Sequence, residues 1–178
     1  MNVPARYRLP IAILVSIAVV VLVFVAVAVV TQPRPSDSPS PSPSPSASVD
    51  PTDSPEGVVR AFFDTLARAR RTDDPTLLTP FVTSTDSSAY LTAAGFLEGQ
   101  KQVGKASVIT TNEIRDLQVD SQDGEAVVTF MHHMEGYDID YDTGEPLESP
   151  TALPDVTVRV QVKQVDGRWL VERFENLP

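Results

Sequence analysis

His132 and His133 are the only two imidazoles in the chain, and they stand side by side. Neighbouring residues of a strand project to opposite faces, so as a strand pair they cannot chelate one metal ion. His132 then shares a face with Phe130 and Met134, and His133 looks the other way. Acid–base work and a structural role in a core both fit His132; the structural role is preferred, because acid–base assignments need a geometry first. Asp138, Asp140 and Asp142 alternate ahead of Gly144. A calcium loop of the EF-hand type needs Gly at its sixth position and Glu at its twelfth, where Thr143 and Ser149 stand. Alternating carboxylates share one strand face and invite a cation, but a solvated acidic hairpin around Asp142-Thr143-Gly144-Glu145 accounts for the same residues. That reading is adopted, with no metal and no cofactor expected. Trp169 is read as a core anchor against the first helix rather than a ligand platform. No Gly-rich phosphate loop, metalloprotease motif or nucleophile elbow occurs. The absence of cysteine removes disulfides, thiolate metal sites, a cysteine nucleophile and a lipid-modified cysteine.

The elements that must position these residues follow from periodicity. Ser54, Pro55 and Glu56 suit an N-cap, first position and first turn. Val58, Val59, Phe62, Phe63 and Leu66 then recur at helical spacing, with Arg60, Asp64, Arg68, Arg70 and Arg71 mostly on the other side. Asp74-Pro75 restarts a short helix carrying Leu77 and Leu78, limited by Pro80. A third helix is expected from about Asp86 to Val103, with Tyr90, Leu91, Ala94, Leu97 and Phe96 inward. From Lys105 the period falls to two. Ala106 to Val119 gives one or two strands, and Asp123-Gly124 turns the chain into a strand from Glu125 to Asp140. Glu145 to Pro154, with three prolines, reads as an irregular loop. Val156, Val158, Val160 and Val162 alternate with polar residues, as in a strand with one buried face. Asp166-Gly167 is a two-residue hairpin signal, and Trp169 to Leu177 closes the chain. Helices followed by a meander of hairpins argue for an α+β fold, with helices on one face of an antiparallel sheet.

The front of the 178-residue chain is of another character. Ile11 to Val30 is apolar except for Ser16, and about 20 such residues cross a bilayer core. Signal-peptide apolar regions run about 7–15 residues, so a retained anchor is favoured over cleavage near Ala26-Val27-Ala28. Arg6 and Arg8 precede the span and Arg34 follows it beside Asp37, which keeps the N-terminus in the cytoplasm. The alternation of Pro and Ser from Pro39 to Pro45 favours polyproline II. At about 3.1 Å per residue, a stalk from Thr31 to Ser54 reaches at most roughly 75 Å. Ser/Pro-rich stalks outside cells are also substrates for O-glycosylation; an unmodified spacer fits equally well. The expected organisation is therefore residues 1–10 cytoplasmic, 11–30 transmembrane, 31–54 a disordered stalk and 55–178 one globular domain, on a single-pass protein of the plasma membrane. The charges of residues 1–55 cancel, so the formal −10 lies on the domain. An acidic surface repels phosphate backbones, which excludes nucleic acid as a partner.

Phe62-Phe63 in a first amphipathic helix, a short Leu-rich second helix, long antiparallel strands and the closing Asp166-Gly167-Arg168-Trp169-Leu170-Val171 resemble the NTF2-like superfamily over residues 55–178. The anchored arrangement is similar to exported NTF2-like proteins of actinobacteria, including the Mce-associated kind. The resemblance implies a cone: a curved sheet wrapped around three helices, with an internal pocket and often a dimer through the open sheet face. It implies a pocket lined by Phe63, Tyr90, Phe96, Phe130, His132 and Trp169. NTF2-like isomerases, dehydratases and epoxide hydrolases place an acid–base residue in the cone with tyrosine or carboxylate helpers. His132 with Tyr90 or Tyr137 would imitate this, although none of their catalytic motifs matches here residue by residue.

The leading expectation is a non-catalytic, extracytoplasmic module that binds a small apolar molecule or docks an envelope protein. The alternatives are a small-molecule isomerase or dehydratase, and an accessory subunit of an envelope lipid-transport complex.

Overall fold

A computed structural model describes residues 49–178. The expected anchor at residues 11–30 and the cytoplasmic segment before it lie outside the described residues, as does the stalk up to residue 48. No described helix is long and apolar enough to cross a membrane.

Helix α1 spans Pro55–Thr72. Its start follows the capping logic of the sequence: Ser54 Oγ accepts a hydrogen bond from the Gly57 amide at 3.0 Å, and Glu56 in the first turn pairs with Arg60. Asp73 ends it in the left-handed region, with φ of 47° and its own amide bonded back to the Ala69 carbonyl. The packing reaches back beyond the helix, because Pro51–Asp53 forms a 3₁₀ turn. Thr52 in that turn is buried and accepts a hydrogen bond from Arg168 Nε at 3.0 Å.

The second helix is a 3₁₀ helix, Pro75–Phe81, capped by Asp74. Of its two leucines, Leu78 is buried and Leu77 is exposed. Helix α2 spans Ser88–Gln102 and is capped by Ser87. Its inner stripe is Ala89, Ala93 and Leu97, whereas Leu91 and Phe96 are 57% and 45% exposed. Of the expected inward set, Leu97 is buried and Tyr90 packs against the core, whereas Leu91 and Phe96 are corrected: Ala89 and Ala93 let the helix lie close to its neighbours and leave these two at the rim.

Five strands follow: β1 Lys105–Gln122, β2 Glu125–Asp140, β3 Thr151–Ala152, β4 Val156–Val165 and β5 Arg168–Leu177. They form one sheet in the order β1-β2-β4-β5, every pairing antiparallel. β4 flanks β2 as far as His132, and β3 takes over opposite Glu135 and Gly136. The stretch expected to be an irregular loop thus adds a two-residue strand that extends the sheet. Both Asp-Gly hairpins form as the sequence demands, with positive φ at Asp123, Gly124, Asp166 and Gly167, which is the turn that matches strand twist.

The 18-residue β1 carries two irregularities, between Ile109 and Thr111 and between Arg115 and Gln118. Bulges bend a strand and increase its twist, which curves this side of the sheet toward α1. Val58, Val59, Phe62, Phe63 and Leu66 of α1 meet Val128, Phe130, Val158, Val160, Val162 and Val171 of the sheet in one core. Each such side chain contributes roughly 1.5–3 kcal/mol on full burial. Trp169 is partly buried and packs against this core.

Candidate functional site

The helices and sheet do not close completely on one another. Between α1, α2 and the inner face of β1, β2, β4 and β5 lies a cavity of about 270 Å³, near the small end of ligand pockets. Helical spacing along α1 brings Phe63, Leu66, Ala67 and Arg70 to it, and α2 adds Thr92, Ala93 and Phe96. Period two puts His132 and Met134 of β2 on the inner face, as Phe174 and Asn176 are on β5. Val156 of β4 stands opposite His132, and Asn112 of β1 stands opposite Met134.

Three of the six expected lining residues meet at this cavity: Phe63, Phe96 and His132. Phe130 sits beside them, fully buried, its ring edge-on to Phe63 and His132 at centroid distances of 5.1 and 5.9 Å. Tyr90 and Trp169 pack against the core elsewhere and do not line the cavity. Tyr137, the other tyrosine considered as a helper to His132, does not line it either.

The partner that His132 has is Asn112. Its Nε2 lies 2.8 Å from Asn112 Oδ1, and Asn112 Nδ2 donates to Asp64 Oδ1 at 2.8 Å. A carboxylate can only accept, so Asn112 must turn its amide nitrogen to Asp64 and its oxygen to the imidazole. His132 therefore donates from Nε2, which leaves Nδ1 with a lone pair. Burial against Phe63 and Phe130, and next the positive charge of Arg70, lower the His132 pKa from 6.5 to about 4. The ring is neutral at physiological pH: a hydrogen-bond acceptor, and a weak base.

Arg70 is the second polar feature. Its guanidinium carbon lies 4.6 Å from the centre of the Phe96 ring, a cation–π contact. Burial pulls its pKa below the usual arginine value, opposed by the charge of Asp138. The helical pattern grouped Arg70 with charged residues lying mostly on the side of α1 away from the apolar stripe. It stands seven residues from Phe63, however, two turns along the same face, and that spacing was the available signal. Asn112 carried no comparable signal, because its approach to His132 depends on strand register.

His133, as expected, faces away from the cavity, with Nδ1 2.6 Å from Asp155. The acidic hairpin spends its carboxylates separately. Asp138 accepts from Ser107 at 2.9 Å and pairs with Lys105 at 3.3 Å, whereas Asp140 accepts from the Thr143 amide at 2.8 Å. These bonds hold the Asp140 carboxyl below its usual pKa.

No protein-family profile and no curated protein matches the sequence. Among solved structures, the intermembrane space region of the chloroplast protein ARC6 aligns with a TM-score of 0.53 at 14% identity, over 68% of this chain and 92% of that one. An NTF-2-like protein of unknown function from Shewanella oneidensis MR-1 aligns at 0.45 and 10% identity, over 69% of this chain and 98% of its own. A proposed dehydratase of the NTF2-like family from Streptomyces avermitilis aligns at 0.46 and 11% identity, over 67% and 93%. What the chain shares with the ARC6 region is the fold, an α+β domain in which helices lie against an antiparallel sheet.

Proposed function

We propose that the domain is a non-catalytic receptor for a small, largely apolar molecule, held outside the cytoplasm by the Ile11–Val30 anchor and its stalk. The observation that carries this reading is the cavity itself. Its walls are mostly hydrocarbon and aromatic, with a few polar groups at fixed points, which is the ordinary make-up of a ligand pocket. Among the described residues no carboxylate lines it. Its imidazole, with a pKa lowered to about 4, lies well below the neutral range in which a general base is usually poised.

The test is binding by the full chain in detergent, followed with an environment-sensitive apolar dye. Ala67 lines the cavity without belonging to the buried core, so Ala67→Trp fills the space and spares the packing beneath. The wild-type chain is expected to enhance the dye's emission, and Ala67→Trp to abolish the effect while keeping its unfolding midpoint. Equal enhancement by both proteins would overturn the receptor reading.

A further inference from the structure

The proposal of a receptor leaves open what its ligand carries besides an apolar body, and Arg70 bears on that question. The other arginines of α1 and the sheet are paired or wet. Arg60 meets Glu56, Arg115 meets Glu113, and Arg159 and Arg173 both meet Glu175. Arg68 donates to Thr65, Arg168 donates to Thr52, and Arg71 is exposed to solvent. Arg70 is only partly exposed, lines the cavity and rests on Phe96. Among the described residues it has neither a hydrogen bond nor a carboxylate within ion-pair distance. The carboxylate that acts on it most, Asp138, is already committed to Lys105 and Ser107.

Acidic residues outnumber basic ones by 24 to 14 in this chain, so a counter-charge for Arg70 was readily available. A charge held partly out of water gains from a partner that meets it there. The remaining polar groups at the cavity, Asn112, Thr92, Asn176 and neutral His132, supply no negative charge. Resting on this receptor reading, we propose that the ligand is a small organic acid whose carboxylate pairs with the Arg70 guanidinium while its apolar body lies against Phe63, Phe174 and Val156.

A carboxylate fits better than a phosphate. A guanidinium presents a planar fork that one carboxylate satisfies through two parallel bonds. Phosphate sites gather several donors or a helix N-terminus, whereas Arg70, in the last turn of α1, is among the described residues the one cationic side chain lining the cavity.

The experiment compares 4-phenylbutyrate with 4-phenylbutanol as competitors for the dye on the full chain in detergent, above pH 6.5. The two probes share an aromatic body and differ in the charged head. The wild-type protein is expected to bind the acid about tenfold more tightly than the alcohol, since a hydrogen bond to a charged group is typically worth that factor or more. Arg70→Gln is expected to reduce the preference to within about twofold, and Arg70→Lys to restore part of it, because a point charge lacks the fork. Ala67→Trp should lose both probes. If the alcohol competes as well as the acid, or if Arg70→Gln leaves the preference intact, the carboxylate assignment is wrong and the receptor reading survives. If neither probe competes with the dye, the carboxylate assignment falls, and the receptor reading falls with it only if Ala67→Trp binds the dye as the wild type does.

Discussion

At the residue scale, His132 makes the clearest pH prediction. Its folded pKa, about 4, lies below the 6.5 of an unperturbed imidazole, so between these values the unfolded chain binds the proton and the folded chain does not. Stability is therefore complete above pH 6.5 and declines as pH falls toward 4, by up to about 3 kcal/mol from this one group. Asp50, Asp74 and Asp140 have carboxyl pKa values lowered from 3.8 by hydrogen bonds to neighbouring threonines, so their titration falls beneath that window. Urea unfolding at pH 7 and pH 4.5 should show a loss in the wild type that shrinks in His132→Gln, which keeps a donor for Asn112 and does not titrate. Equal losses in the two proteins would mean that His132 protonates freely in the folded state. Strand alternation alone placed His132 on the same face as Phe130 and Met134. What it could not give was Asn112: in the register Asn112 pairs with Met134 and Ile114 with His132, and a bulge on either side of that segment shifts the alignment in ways that side-chain type does not encode.

At the scale of elements, the features with a local cause were legible. The β2 span from Glu125 to Asp140, the alternation in β4 and both Asp-Gly hairpins were readable because each rests on neighbours in sequence. The inner face of α2 was not, because Gly95 and Gly99 interrupt its pattern and its buried stripe is mostly alanine. Nor was the bend of β1, since it is decided by what lies across from it. A Cβ at Gly136 of β2 would come within 2.6 Å of the Val108 carbonyl oxygen and 3.2 Å of Ile109 Cδ1. Glycine at this position lets β1 pass close by at its first irregularity, between Ile109 and Thr111. Gly136→Ala should cost about 1–3 kcal/mol, the usual penalty of overpacking, read as a lower urea midpoint with an unchanged slope. Because Met134 lies two residues away and lines the cavity, the same variant should also weaken dye binding. A stability identical to wild type would show that the two strands separate at no cost.

At the scale of the whole molecule, composition by itself separates two parts. Residues 11–30 lack charge entirely, while the formal −10 belongs to the domain. The order of helices and hairpins made the α+β class legible, whereas the cavity depends on how far apart helices and sheet come to rest, which side-chain volumes settle only in three dimensions. The proposed placement rests on the apolar segment and predicts a sharp dependence on its hydropathy. An arginine at the centre of a membrane helix costs roughly 2.5–3.5 kcal/mol on insertion scales, so Val20→Arg together with Val21→Arg should remove most of the driving force for insertion. The wild-type chain is expected to stay with membranes through an alkaline carbonate wash. Protease added outside cells stripped of their wall should remove its folded part. The double variant should instead be found in the soluble fraction and be shielded from external protease. The domain carries its own core of valines and phenylalanines, so loss of the anchor should leave its folding, and its dye binding after purification, unchanged. A wild-type chain released by carbonate, or a double variant that stays membrane-bound, would show that Ile11 to Val30 is not what holds this protein in place.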